Sequence, residues 1–235
     1  MKKYLWLGFI GTVLSLVCDL LLGWMVYPDT GDYMTGMLAG CAELSYLRMG
    51  LSVVFGAIGI PMQYFGFKAI ADIIGKGNHK KSKLYQKLVN AGAVATASMG
   101  ASVHILCVIM MFGMRIECDH GFDPMVAATM LEMIPESVLQ FTLWGVLPVS
   151  VIMMTPYMIM AVVMFWAIVR GRTELPKWMC ICNPLIANLF TNLITVVIPN
   201  TAFSNGVGMA SMALGGMLPF VAVLIWLYCK KGKVS

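Results

Sequence analysis

The sequence predicts an all-α integral membrane bundle of six transmembrane helices, with one further helix lying on or re-entering the outer surface. Three observations lead there. Apolar residues make up 60% of the chain and charged ones only 11%, against about 25% charged in an ordinary soluble domain; mean hydropathy is +0.83. The apolar residues fall in runs of about 19 or more, enough at about 1.5 Å per residue to cross roughly 30 Å of hydrocarbon. Basic residues gather in the connections of one side. A closed barrel would instead need alternating strands of roughly ten residues, and that pattern is absent. With 235 residues nearly all in or between spans, a single transmembrane domain over 1–235 is expected.

Apolar runs read against their breakers place the spans near 4–27, 49–73, 86–114, 142–169, 178–199 and 207–229. The first opens with Met-Lys-Lys, as a secretory signal would, but no small-residue cleavage site abuts it. The run also has the length of a span, so a retained anchor is expected. LAGC at 38–41 is separated from that run by PDTGDYMTGM and does not read as a processing site. The connection 74–85, GKGNHKKSKLYQ, is short and basic; 28–48 and 115–141 are longer.

Charge sets the orientation. With a cytoplasmic N-terminus, Lys2, Lys3, Lys68, Lys76, Lys80, Lys81, Lys83, Lys87, Arg170, Arg172, Lys177, Lys230, Lys231 and Lys233 fall inside, and only Arg48 and Arg115 outside. Among the acids, Asp72 and Glu174 fall inside, and Asp29, Asp32, Glu43, Glu117, Asp119 and Asp123 outside. Making 125–141 a seventh span would put Arg170, Arg172, Lys177 and the C-terminal KKGK outside. That segment is therefore expected as an outer interfacial or re-entrant helix carrying Glu132 and Glu136 on one face, at i and i+4. The protein is expected in the cell membrane, with both termini cytoplasmic.

Ionisable residues within apolar sequence are costly, about 2.5–3.5 kcal/mol each on an insertion scale, and generally face a bundle interior or a wet cavity. Asp19 lies roughly 22 Å up the first span and His104 roughly 27 Å up the third. Both fall in the outer third, level with Arg48, with Glu132 and Glu136 on the same side. Each has a small or polar stripe beneath it: Gly8, Thr12, Ser15, Asp19 and Gly23 on the first span, and Gly92, Thr96, Gly100 and His104 on the third. Asn188, Thr191, Asn192 and Thr195 form a third stripe, on the fifth span. Such stripes let membrane helices approach closely and hydrogen-bond, so all three are expected to face inward and bring Asp19 within reach of His104.

An imidazole beside a carboxylate can serve as a general acid–base. The candidate catalytic residues are His104 as acid–base, Asp19 as its orienter, and Glu132 or Glu136 as a second acid. Arg48, Asn188, Asn192 and Thr195 are the candidate substrate-binding residues. Each has a structural alternative: Asp19 paired with Arg48, His104 as an interhelical hydrogen bonder, the glutamates as a solvated face, the Asn/Thr stripe as helix–helix glue. Ser102, two residues before His104, lies on another side of the helix and is no nucleophile for it. HExxH, GxSxG and phosphate-loop motifs are absent.

No metal and no cofactor are expected. The loop ECDHGFD (117–123) is too short to wrap an ion, and the seven cysteines contain no CxxC, only Cys180 and Cys182 as CxC. The cysteines read as small hydrophobes, with a Cys41–Cys118 pairing open, and the 22 methionines as packing or lipid-facing residues. Nothing supports nucleic-acid binding; membrane lipids are the expected partners, with a homodimer or a partner subunit. Three functions follow: an enzyme acting on a lipid or hydrophobic small molecule from the outer side, which the buried ionisable groups favour; a transporter or ligand-binding component, proton-coupled if the same layer relays protons; or a structural subunit.

Overall fold

A computed structural model describes residues 1–29, 33–124 and 134–231. Among them there is no strand. The helices are α1 (Lys2–Gly23), α2 (Tyr33–Gly40), α3 (Tyr46–Ile74), α4 (Ser82–Asp119), α5 (Glu136–Phe141), α6 (Leu147–Val169), α7 (Pro184–Val197), α8 (Ala202–Met209) and α9 (Ser211–Lys231). Five stretches are long and apolar enough to cross a membrane: α1, α3, α4, the continuous run Glu136–Val169, and Ser211–Lys230. Large apolar side chains stand exposed on their outer faces, such as Val54 and Ile58 on α3 and Val151, Ile152 and Val162 on α6. That surface suits lipid and would be a liability in water. The chain is a helical membrane bundle.

Its two ends differ in charge. At one, Lys2 sits over the Tyr228 ring, Lys230 pairs with Glu174 at 3.3 Å, and Ser82 donates to the Arg172 carbonyl; we call it the basic end. At the other, Asp119 pairs with Arg115 at 2.9 Å and accepts from the Tyr46 hydroxyl, while Glu117 accepts from Ser137; this is the acidic end. The first and last described residues both lie at the basic end.

The span expected at 178–199 takes a different form. Asn183 caps the helix by accepting from the Leu185 amide, and Pro184 starts it at a position that needs no amide donor. Lys177–Cys182 winds instead as a 3-10 turn. The resulting α7 has 14 residues, about 21 Å at helical rise and short of the roughly 30 Å hydrocarbon. The segment nonetheless runs from beside α6 to the acidic end. Asn183 donates to the Ala161 carbonyl of α6, and Asn200 brackets Tyr27 at the acidic end, accepting from its amide and donating to its carbonyl. Asn200 holds φ at 47°, a left-handed backbone that asparagine tolerates better than most residues.

The helix expected at 125–141 also differs. Residues 125–133, and Glu132 with them, lie outside the described residues. The remainder is α5, which passes through a π-helical turn, Thr142–Val146, into α6. It is the first part of a long helix rather than a separate surface element.

Small residues set the helix crossings. A Cβ on Gly8 would lie 2.5 Å from the Cα of Gly66, and one on Gly59 would lie 2.7 Å from the Gly11 carbonyl oxygen, so α1 and α3 meet backbone to backbone. Gly92 brings α4 against Met160 of α6 in the same way. Buried side chains form two clusters. The larger, toward the basic end, holds Leu5, Phe67, Ile70, Tyr157, Met164 and Phe220. The smaller, toward the acidic end, holds Leu22, Leu44, Met49, Val108, Met114 and Val138.

Candidate functional site

Between these clusters lies a cavity of about 200 Å³. Its apolar wall includes Leu22, Ile60, Val103, Met111, Met153, Met209 and Met212, and its polar wall Ser15, Asp19, Gln63, Thr96, His104 and Tyr157. The stripes of α1 and α4 face inward as their spacing requires: Gly8, Thr12, Ser15 and Gly23, and Gly92, Thr96 and Gly100, are all buried, and of these Ser15, Thr96 and Gly100 line the cavity.

Asp19 and His104 meet across this wall. Asp19 Oδ1 lies 3.6 Å from His104 Nδ1, with the side chains 17% and 9% exposed. That separation exceeds a hydrogen bond, whose heavy atoms stand about 2.7–3.2 Å apart. The other ring nitrogen is fixed from α3: His104 Nε2 lies 3.1 Å from the Ser52 hydroxyl and 3.2 Å from the Ser52 carbonyl. Ser52 Oγ donates its own proton to the Cys18 carbonyl at 2.9 Å. Toward Nε2 it can only accept, as the carbonyl must. The proton of the neutral ring therefore sits on Nε2, and Nδ1 presents a lone pair to the Asp19 carboxyl.

Space for the ring comes from Gly56. A Cβ there would fall 2.3 Å from His104 Cδ2. Cys18 stands behind the pair, its Sγ 3.6 Å from Asp19 Oδ1 and 3.0 Å from the Ser15 carbonyl to which it donates. Deeper in the wall, Gln63 donates to Ser15 Oγ at 2.8 Å and Asn188 to Tyr157 Oη at 3.4 Å. Thr96 is 7% exposed, and its hydroxyl has no hydrogen-bond partner. A buried hydroxyl left this way costs roughly 1–3 kcal/mol.

The other candidates take different positions. Arg48 spends its guanidinium on the end of α1, donating to the Leu21 carbonyl at 2.7 Å and the Trp24 carbonyl at 3.2 Å; these orphan carbonyls attract cations. It forms no ion pair with Asp19. Glu136 is exposed and accepts from Gln140 at 2.7 Å, away from the cavity wall. Of the α7 stripe, Asn188 reaches Tyr157. Asn192 is exposed, and Thr195 donates to the Asn192 carbonyl.

Cys18, Ser52, Gly56, Gln63 and Tyr157 were not candidates from sequence. Cys18 is beside Asp19 in the chain, and successive helical residues point about 100° apart, so spacing alone does not bring their side chains together. Among the described residues, Cys18, Asp19 and His104 are the one group of three potential ligand residues whose atoms lie within 4.8 Å of one another. In the 117–123 loop, Asp119 is committed to Tyr46 and Arg115 and Glu117 to Ser137.

Fold and site together define a polytopic helical membrane protein with a polar-walled cavity inside the bundle. The chain belongs to a family of unknown function, DUF6796, whose match covers residues 1–231. No curated protein and no solved structure matches it.

Proposed function

We propose that this protein is a membrane-embedded enzyme that acts on a lipid or other hydrophobic small molecule, with Asp19 and His104 as its reacting pair. The observation that carries the reading is the cavity itself: a largely apolar chamber whose polar wall holds a carboxyl group facing an imidazole lone pair. The arrangement of charge supports a cell-membrane location with both termini cytoplasmic, which puts the cavity in the outer half of the bilayer.

His104 is oriented through Nε2, so Nδ1 and the Asp19 carboxyl together hold one acidic centre, a proton in the simplest case. It can be passed to, or taken from, a polar group of the substrate. Thr96, with its unpartnered hydroxyl, supplies a hydrogen bond to the same group. Drug-sized ligands occupy pockets of about 300–1,000 Å³. At about 200 Å³ the cavity suits a small molecule, or one end of an amphiphile whose tail remains among the helices.

The test is a comparative extract profile, of lipids and small hydrophobic molecules, from cells making wild-type protein, Asp19→Asn or His104→Ala. A substrate accumulating with both variants is the expected result. Identical profiles, with both variants inserted and folded, overturn the enzyme reading. Proton-coupled uptake into proteoliposomes that is lost with both variants, over identical profiles, would instead establish transport.

A further inference from the structure

We propose that Cys18, Asp19 and His104 form a metal site of the zinc class, with an open coordination position facing the cavity. The inference deepens the reading above and rests on it for the role of the cavity.

The first support is direction. His104 Nε2 is committed as a donor to Ser52, so Nδ1 turns a lone pair toward Asp19 Oδ1. Two acceptors facing each other call for a proton or a metal ion between them, and at 3.6 Å the gap is longer than a hydrogen bond. Metal-bound histidines commonly show the same outer arrangement, with the second nitrogen donating to a carbonyl and fixing the ring.

The second support is distance. With metal bonds of about 2.3 Å to sulfur and about 2.0–2.2 Å to nitrogen and oxygen, tetrahedral ligand atoms stand roughly 3.4–3.6 Å apart. The Asp19–His104 and Asp19–Cys18 separations are both 3.6 Å. The third edge, between Cys18 Sγ and His104 Nδ1, lies within 4.8 Å; a side-chain shift of about 1 Å brings it to the tetrahedral length.

The third support is placement. Cys18 is fully buried and closes the site from behind, whereas Asp19 and His104 line the cavity. Three protein ligands with the fourth position free is the arrangement of catalytic zinc. A thiolate, an imidazole and a carboxylate suit zinc better than calcium or magnesium, which favour all-oxygen sets. On binding, the Cys18 S–H proton leaves to solvent and the thiolate takes its place on the metal. A water in the fourth position would lose its proton near neutral pH and give the cavity a nucleophile.

The experiment uses full-length protein, free of any histidine tag, stripped with chelator in detergent and titrated with zinc or cobalt chloride. One zinc per chain is expected, with a melting temperature that rises with zinc concentration. Cobalt should give tetrahedral d–d bands and a thiolate charge-transfer band. Cys18→Ser should remove the charge-transfer band, and Cys107→Ser, a thiol of the same cavity wall, should leave it. Ser52→Ala should weaken zinc binding about 10-fold or more by releasing the ring.

Failure of wild-type protein to bind zinc stoichiometrically overturns the site, as does a charge-transfer band that survives Cys18→Ser. Because the wild-type titration needs no variant, a misfolded mutant does not rescue the idea. The two readings also separate. A substrate that accumulates with Asp19→Asn and His104→Ala but not with Cys18→Ser keeps the acid–base pair and overturns the metal. Stoichiometric zinc with unchanged extract profiles keeps the metal and overturns the substrate reading.

Discussion

The half of the bundle toward the basic end and the half toward the acidic end share helices but not packing. In the first, aromatic rings and glycines interlock. Phe220 lies against Phe67 with centroids 4.8 Å apart, a Cβ on Gly66 would lie 2.5 Å from the Phe220 ring, and the space by Ile70, Met164 and Met179 amounts to about 10 Å³. That is room for about one water. Toward the second half, where the two clusters meet, the helices surround about 200 Å³, with the flexible side chains of Met111, Met153, Met209 and Met212 in its apolar wall. Lipid tails are as apolar as leucine, so membrane helices gain little from hydrophobic burial alone and close contact must come from fitted small and large surfaces. Where the fit stops, a chamber opens, and this protein places its embedded acid and imidazole there.

The largest difference should come from truncating each half in turn. Phe220→Ala is expected to cost about 3–5 kcal/mol by unfolding in mixed micelles, whereas Met209→Ala should fall at or below the lower end of the ~2–5 kcal/mol range for methionine, since it only widens existing space. Equal losses would break the contrast. Adding atoms sharpens it next. Gly8→Ala pushes a methyl into the Gly66 backbone and should cost about 1–3 kcal/mol. Gly100→Ala meets the Ile60 Cγ2 methyl at 2.9 Å, which must give way toward the cavity, and should cost less than Gly8→Ala, since the ~1 kcal/mol helix preference of alanine over glycine offsets part of the clash.

Gly56→Ala should separate site from scaffold. Its Cβ displaces the His104 ring, so substrate turnover or zinc binding is lost while the melting temperature falls by less than for Gly8→Ala. A smaller effect is expected at Thr96→Val. Removing an unpartnered hydroxyl should raise unliganded stability by about 1 kcal/mol and reduce the thermal shift given by substrate.

The smallest effect lies outside the membrane, at the basic end. Partial desolvation first, and then the proximity of Arg172, Lys80 and Lys81, lower the His79 pKa below its ordinary value, and its Nδ1 accepts from the Lys81 amide. The folded state therefore holds fewer protons than the unfolded one, and stability contributed here is lost as pH falls through the mid-6 range and below. His79→Gln should flatten that slight slope in melting temperature, leaving the acidic half unaffected.

How much of the molecule was legible in sequence depended on whether the cause was local. The stripes of α1 and α4 follow from helical period, so the meeting of Asp19 and His104 was readable from residue spacing. The charge asymmetry likewise agrees with Lys2 lying against Tyr228, near the last described residues, at one end of the bundle. Shared depth proved a weaker guide than shared azimuth: Arg48 sits near the right level but its nearest orphan groups are the carbonyls ending α1. Glu136 follows a helix that turns it outward. The shortening of α7 could have been read from Asn183-Pro184, a start signal inside an apolar run. Ser52, Gly56 and Cys18 could not, because their roles depend on the register in which α3 lies against α1 and α4.

The backbone contact of α1 with α3 also bears on the order of assembly. Both helices are complete by residue 74, and they pack antiparallel, with Ser52 donating to the Cys18 carbonyl. His104 lies thirty residues further along the chain. During synthesis Asp19 is therefore made before its imidazole, and α4 is the last of the three helices that form the site.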